Sequence, residues 1–212
     1  MMPVSGVKAG PTKLVRRRVK VGFILLPGFT MFSYSALVYI LKHCTDPAAA
    51  VGIDAAQIKG VLPLPLSSLR ATLPVFQNPA NKHRAVSLTA EQFRYSFGNA
   101  VNAEQSDALY DQWVIPAPGK PLFEAAAANF SLHSPAKVET DNEARGPLLL
   151  IAGGKDHTVP ESITKSTLKQ YRHSPAVTDY IEFPDRGHSL TIDSGWRDIA
   201  QSCLNWLGKQ GF

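Results

Sequence analysis

The sequence predicts an α/β protein: a reduced parallel sheet of about four strands, with a helical insertion between the second and third strands. Three observations carry this. Short β-branched and aliphatic runs alternate with helix-length segments, the pattern of strands joined by helical crossovers. The alternation is broken once, by three successive helical segments with no strand between them. Finally, two late strands each run into a glycine-containing loop bearing a titratable side chain, as expected at the ligand-binding edge of an open parallel sheet.

In chain order, residues 1–18 contain Gly, Pro and Ser without periodicity, which predicts a basic flexible tail. Val19 to Leu26 (VKVGFILL) reads as a buried strand, followed by the turn Pro27-Gly28-Phe29-Thr30 and a helix from about Phe32 to His43. Ala48 to Asp54 is a second short buried strand that ends in a carboxylate. Between Val61 and Pro79, prolines at 63, 65 and 74 argue against a long helix. Thr89 with Gln92 forms a capping-box pattern ahead of a helix to about Gly98, and Asn102 with Gln105 repeats it ahead of a helix ending near Trp113. Leu122 to Phe130 is a third, alanine-rich helix. Pro147 to Ala152 then reads as a strand, Glu161 to Tyr171 as a helix and Tyr180 to Phe183 as the last strand. Gly195 to Leu207 closes the chain as an amphipathic helix, with Trp196, Ile199, Ala200, Cys203 and Leu207 at helical spacing. The expected division is a tail (1–18), a core (19–80 and 131–212) and a helical cap (81–130) over the strands' C-terminal edge.

Composition narrows the function classes. Hydrophobic residues make up 44% and charged residues 18% of 212, a globular balance. No apolar run approaches the roughly 18–20 residues needed to cross a bilayer, and no signal-peptide pattern follows the basic start. A cytoplasmic location and no membrane partner are therefore expected. Cys44 and Cys203 lack metal-ligand spacing and are expected as free thiols. There is no glycine-rich phosphate loop, paired-cysteine motif or G-x-G-x-x-G, so neither cofactor nor metal is expected. The net charge of +5 is uneven: residues 1–45 hold seven Lys/Arg and no Asp or Glu, while the remainder holds 15 basic and 17 acidic residues. No aromatic residue interleaves with Arg16–Arg18, so the basic front reads as a solvated tail rather than a nucleic-acid-binding arm.

Two loop residues stand out. Asp156, in GGKDHTVP, lies four residues beyond the third strand; His188, in DRGHSL, lies just past the fourth. Loops leaving the same edge of adjacent parallel strands can bring both side chains together, letting a carboxylate fix an imidazole tautomer. Asp54 is the weaker candidate acid and reads as structural. From Ala48 onward the wording resembles the α/β-hydrolase family, of the cap-bearing, actinobacterial type. The segments that carry the likeness are VGIDAAQIKGVLPLPLSSLR, NPANKHRAVSLTAEQFRYSFGNAV, PLLLIAGGKDHTVP and FPDRGHSL. The resemblance implies acyl-transfer hydrolysis of a small apolar ester or related substrate, with His188 as base and Asp156 as its orienting acid.

That family places its serine in G-x-S-x-G on a strand-to-helix turn, and no such motif occurs in this chain. Two registers of the front supply candidate nucleophiles. Matching the turn selects Thr30 in GFTMF; matching the distance to the IDAA segment selects Ser33 in MFSYS. The first has Phe32 where the second glycine belongs and the second has no glycine at either end, so weak or lost activity is expected. A non-catalytic remnant that binds an apolar ligand is the alternative. Residues 19–43 also resemble, weakly, the start of a class I glutamine-amidotransferase-like domain, whose cysteine elbow is absent. A recombined or truncated front would explain the charge break, and an exposed sheet edge could support self-association. His83, Arg84 and His133 read as surface residues, and His157 as shaping the turn beside Asp156. Phe93, Tyr95, Phe97, Tyr110, Trp113 and Phe123 read mainly as packing, with one or two lining an apolar pocket.

Overall fold

The structure, a computed structural model, describes residues 21–23 and 48–212 except Pro135. Strand β1 (Val21–Phe23) pairs in parallel with β2 (Ala49–Ile53). An insertion follows: helix α1 (Leu66–Phe76), a 3-10 turn at Pro79–His83, strand β3 (Ala85–Val86), helices α2 (Ala90–Ser96) and α3 (Ala103–Trp113), strand β4 (Ala117–Pro118), helix α4 (Lys120–Ala126) and a 3-10 turn at Ala128–Phe130. The chain then returns to the sheet through β5 (Leu148–Gly153), α5 (Glu161–Gln170), β6 (Thr178–Phe183) and α6 (Trp196–Lys209). The main sheet has the order β1-β2-β5-β6 with every neighbouring pair parallel, so the expected four-stranded α/β architecture with its helical insertion is present.

The side-chain period of two sorts the central strands onto two buried faces. On one face Ala49 and Val51 of β2 and Leu149 and Ile151 of β5 pack with Leu190 and with Ile199, Cys203, Trp206 and Leu207 of α6. On the other, Ala50, Leu148 and Leu150 pack with Ile58, Val61, Val159, Ile163 and Tyr171. All six residues of β5 are buried, which is why its sequence is an unbroken apolar run. At the opposite end from the strand-end loops, buried Arg145 donates to the carbonyls of Gly146, Ala176 and Val177 and lies over the Tyr171 ring, tying together the chain that enters β5 and β6.

Local signals held where the backbone decides and yielded where tertiary bonds do. Both halves of the capping box at Thr89 and Gln92 form, at 3.3 and 2.9 Å. At Asn102 only the forward half forms, its side chain accepting the Gln105 amide at 2.8 Å. The proline-spaced stretch does contain an 11-residue helix, α1, with Pro74 inside it. Pro74 falls near the end of α1, and the Asn81 side-chain amide donates to the carbonyls of Val75 and Pro74 at 3.0 and 3.4 Å, satisfying the terminal groups. The alanine-rich helix stops at Ala126 rather than Phe130 because Asn129 is recruited elsewhere: it accepts from the Gly60 amide at 2.7 Å and donates to the Val61 carbonyl at 2.8 Å. The two-residue ribbon β3–β4 carried no sequence signal. On α6, Trp196 is exposed beneath Arg197, while Trp206 joins the buried face and donates its indole N–H to Asp179 at 2.7 Å.

Cys203 is a buried free thiol, whose burial raises its pKa. The basic tail, Cys44, the helix expected over Phe32–His43 and most of the amidotransferase-like stretch lie outside the described residues. No helix among the described residues is long and apolar enough to cross a membrane. The core reading predicts that Leu149→Ala, at a fully buried position between β2 and β6, costs about 2–5 kcal/mol. Urea unfolding should show this as a lowered midpoint with an unchanged slope.

Candidate active site

The site is built where β5 and β6 end. Past Gly153 and Phe183 the two chains keep contact: the Gly154 amide donates to the Phe183 carbonyl and the Lys155 amide to the Arg186 carbonyl, both at 2.9 Å. This approach requires glycine. A Cβ on Gly153 would sit 2.7 Å from the Arg186 carbonyl oxygen and 2.8 Å from that of Gly187, and one on Gly154 would sit 2.7 Å from Pro184 backbone. The His188 loop is held from behind by Arg186, which pairs with the buried Asp193 carboxylate and donates to the Gly195 carbonyl.

The two loops bring Asp156 and His188 together. His188 Nδ1 lies 2.6 Å from Asp156 Oδ2, and the side chains are 7% and 0% exposed. The other Asp156 oxygen accepts the amides of Thr158 at 2.6 Å and Val159 at 2.9 Å, opening the turn into α5. The carboxylate thus has three donors in a dry setting, and its contact with Nδ1 leaves Nε2 as the nitrogen free to exchange a proton with a reactant. Such a pair can orient an imidazole and stabilise its charged form.

A second carboxyl group stands beside them. Asp54, one residue past β2, accepts the Gly153 amide on Oδ1 at 2.9 Å. Its Oδ2 lies 4.0 Å from His188 Nδ1, is buried and has no hydrogen-bond donor. Burial, then the neighbouring Asp156 charge, push the Asp54 carboxyl well above the usual carboxylate range. The donor atoms of Asp54, Asp156 and His188 lie within 4.8 Å of one another, the one such grouping among the described residues. Most are already committed: Thr158, Val159, Gly153 and His188 all donate to the two carboxyl groups, so the cluster is organised as a hydrogen-bond network around protons.

The insertion grips both loops through the stretch that closes α2. Thr158 Oγ1 donates to the Ser96 carbonyl at 2.7 Å, Ser189 Oγ to the Phe97 carbonyl at 2.8 Å, and Asn99 Nδ2 to the Lys155 carbonyl at 2.7 Å. His157 Nδ1 lies 2.8 Å from the Tyr95 carbonyl and its ring lies tilted against that of Tyr95, centroids 4.5 Å apart, with the Arg70 guanidinium 4.0 Å from the Tyr95 ring centroid. Phe97 sits edge-on to His188 at 4.9 Å. These links were not legible in sequence: nothing in RYSFGNA points to loops 56 to 92 residues away, and Arg186 and Asp193 give no periodic signal either.

The remaining expected residues distribute as follows. His83, Arg84 and His133 are exposed. His157 reaches across to the Tyr95 carbonyl of the insertion, while the turn after Asp156 is held by the amides of Thr158 and Val159. Phe93 and Phe97 are buried and stack at 5.3 Å with Tyr110 against Phe93, while Phe76 and Phe123 meet edge-on at 5.0 Å, which makes these rings packing groups. Ser33 and Thr30 lie outside the described residues.

Parallel strand order, the helical insertion and a strand-end acid and histidine define the α/β-hydrolase fold, and this chain has it. Among solved structures it is similar to polyneuridine aldehyde esterase, with a TM-score of 0.51 at 15% identity over 82% of this chain and 68% of that one. A pyrethroid hydrolase from Sphingobium faniae JZ-2 aligns with a TM-score of 0.50 at 14% identity, over 82% of this chain and 66% of that one. A protein of Escherichia coli (strain K12), provisionally described as a carboxymethylenebutenolidase, is 27% identical over 93 residues. That match covers 38% of this chain and 33% of the E. coli protein, so the alignment spans about a third of the relative's length. No family model matches the chain.

The geometry predicts the consequence of filling the loop contact. In Gly153→Ala the new methyl meets two carbonyl oxygens, so the loops separate and stability falls by about 1–3 kcal/mol. The low-field Nδ1 proton resonance of His188 should disappear from the NMR spectrum; an unchanged resonance would show that the two loops do not depend on this approach.

Proposed function

We propose that the protein is a serine-hydrolase-type enzyme that cleaves a small apolar ester or related acyl compound. The observation that supports this is the buried 2.6 Å contact between His188 Nδ1 and Asp156 Oδ2 at the C-terminal edge of β5 and β6. A hydroxyl from the front segment, Ser33 or Thr30, attacks the acyl carbon. His188 Nε2 takes its proton and later returns one to the leaving group, and Asp156 orients the ring and stabilises the imidazolium. Backbone amides following the nucleophile hold the developing oxyanion. The Phe97 ring beside His188 favours an apolar acyl group. The insertion serves as the cap over this edge. Turnover is weak, because Phe32 stands where the second glycine belongs in the Thr30 register, and Met31 and Ser35 stand at both glycine positions in the Ser33 register. The same departure favours a second reading, an apolar-ligand-binding protein without catalysis.

Fluorophosphonate labelling with mass spectrometry separates the two. Catalysis predicts an adduct on Ser33 or Thr30 that is absent in His188→Ala, with ester turnover lowered about 100- to 10,000-fold in that variant. No adduct together with no hydrolysis of short-chain esters leaves ligand binding as the function. Self-association through a sheet edge is a further part of the proposal, and light scattering across a concentration series reads it directly.

A further inference from the structure

The acid–base pair accounts for its own protons and leaves one group out of balance. The imidazole has a single Nδ1 hydrogen, and it is directed to Asp156 at 2.6 Å. Asp54 Oδ2, 4.0 Å from the same nitrogen, therefore receives nothing from it. The Asp54 backbone amide donates to the Ile151 carbonyl at 2.9 Å and its Oδ1 accepts from Gly153, so the side chain is fixed while Oδ2 stays buried without a donor. Asp54 is also the one non-glycine residue with a positive φ among the described residues, at 43°. A conformation this unfavourable for a residue with a Cβ persists only where the surroundings hold it, and such positions gather at functional sites.

The charged neighbours argue in one direction. Asp156 faces Asp54 from the loop after β5, His188 from the loop after β6, and Asp193, paired with Arg186, from the segment before α6. Among the described residues no lysine or arginine pairs with Asp54. Two adjacent buried carboxylates cannot both be ionised without cost, whereas a shared proton satisfies both.

We propose that Asp54 is protonated in the folded protein at neutral pH and donates its hydroxyl to Asp156, acting as a positioning residue for the acid that holds His188. The inference rests on Asp156 and His188 being the acid–base pair of the proposed function. The donated hydrogen bond draws charge from Asp156 and so weakens that carboxylate's hold on the Nδ1 proton of His188. It also gives Asp54 Oδ2 the partner it otherwise lacks.

The tests need no turnover. In 15N-histidine NMR titrations, Asp54→Asn should leave the His188 pKa within about 0.3 unit of wild type, since an amide N–H replaces the hydroxyl without changing charge. Asp54→Ala removes the donor and should raise it by roughly half a unit or more. A fall of about one unit or more in Asp54→Asn means that a negative charge was removed, and overturns the proposal. Should the alanine variant not fold, infrared spectroscopy of the wild type decides: a protonated-carboxyl band at neutral pH that is missing from Asp54→Asn supports the proposal, and no such band in the wild type overturns it.

Linkage supplies an independent reading. Because the folded pKa of Asp54 lies above its unfolded value, the stability it contributes is full below about pH 3.9 and is lost as pH rises towards the folded pKa. Asp54→Asn removes this loss, so its stability relative to wild type should increase steadily with pH above about 4; a pH-independent difference overturns the proposal. Failure of fluorophosphonate labelling with a persistent infrared band would sink the hydrolase reading while leaving the Asp54 proton in place. Labelling without the band would do the reverse.

Discussion

Everything at the candidate site depends on how closely two loop backbones approach beyond the ends of β5 and β6. Neighbouring strands in a sheet lie about 4.8 Å apart, and the hydrogen bonds from Gly154 to Phe183 and from Lys155 to Arg186 extend that closeness past the last residue of each strand. Only residues without a Cβ fit there, which explains the Gly-Gly pair better than flexibility does. With the backbones locked, Asp156 and His188 need no long or mobile side chain to meet. The Lys155–Asp185 ion pair spans the same two loops, but both groups are largely exposed and it adds little. The Arg186–Asp193 pair, with Asp193 buried and Arg186 half-buried two residues before His188, sits in a drier place and holds the loop.

The insertion is a second constraint on the same atoms. Four consecutive-turn residues, Tyr95, Ser96, Phe97 and Asn99, bind the Asp156 loop at three points and the His188 loop at one. Each hydrogen bond contributes roughly 0.5–1.5 kcal/mol, modest singly. Because they converge from one short segment on two loops that also touch each other, a shift of the insertion would disturb both loops at once. The Phe97 ring edge against His188 adds an apolar wall at this junction. Packing of Phe93 with Phe97 and Tyr110 carries the constraint back into α2 and α3, so the position of the imidazole is coupled to the hydrophobic centre of the insertion.

Sequence reasoning reached the parts that local chemistry decides. The apolar run at Leu148 and the amphipathic face at Ile199 named the layers, the Thr89–Gln92 box placed a helix start, and GGKDHTVP and DRGHSL marked the loops that meet. It failed where a distant partner overrides local preference. Asn129 turns back to Gly60 and Val61 and ends a helix early; Asn81 caps a helix that its prolines argued against. Asp54 shows the same limit within the site. A carboxylate at a strand end reads as a turn former, and only the register of β2 beside β5 reveals that it faces the same imidazole as Asp156.

Burial of Asp156 is the costly step in assembling this site, since an isolated carboxylate in an apolar interior is strongly disfavoured. Two backbone amides and the imidazole supply the compensation. None of those donors belongs to the segment that would carry a nucleophile. The acid–base half is therefore self-supporting: it is assembled by the glycine contact, the start of α5 and the grip of the insertion, whatever hydroxyl faces Nε2. A chain of this fold can thus keep an intact acid and histidine while its turnover is set by a different stretch of sequence. Under the proposed function, loss of a competent hydroxyl would abolish turnover while leaving the contact between Asp156 and His188 as it is.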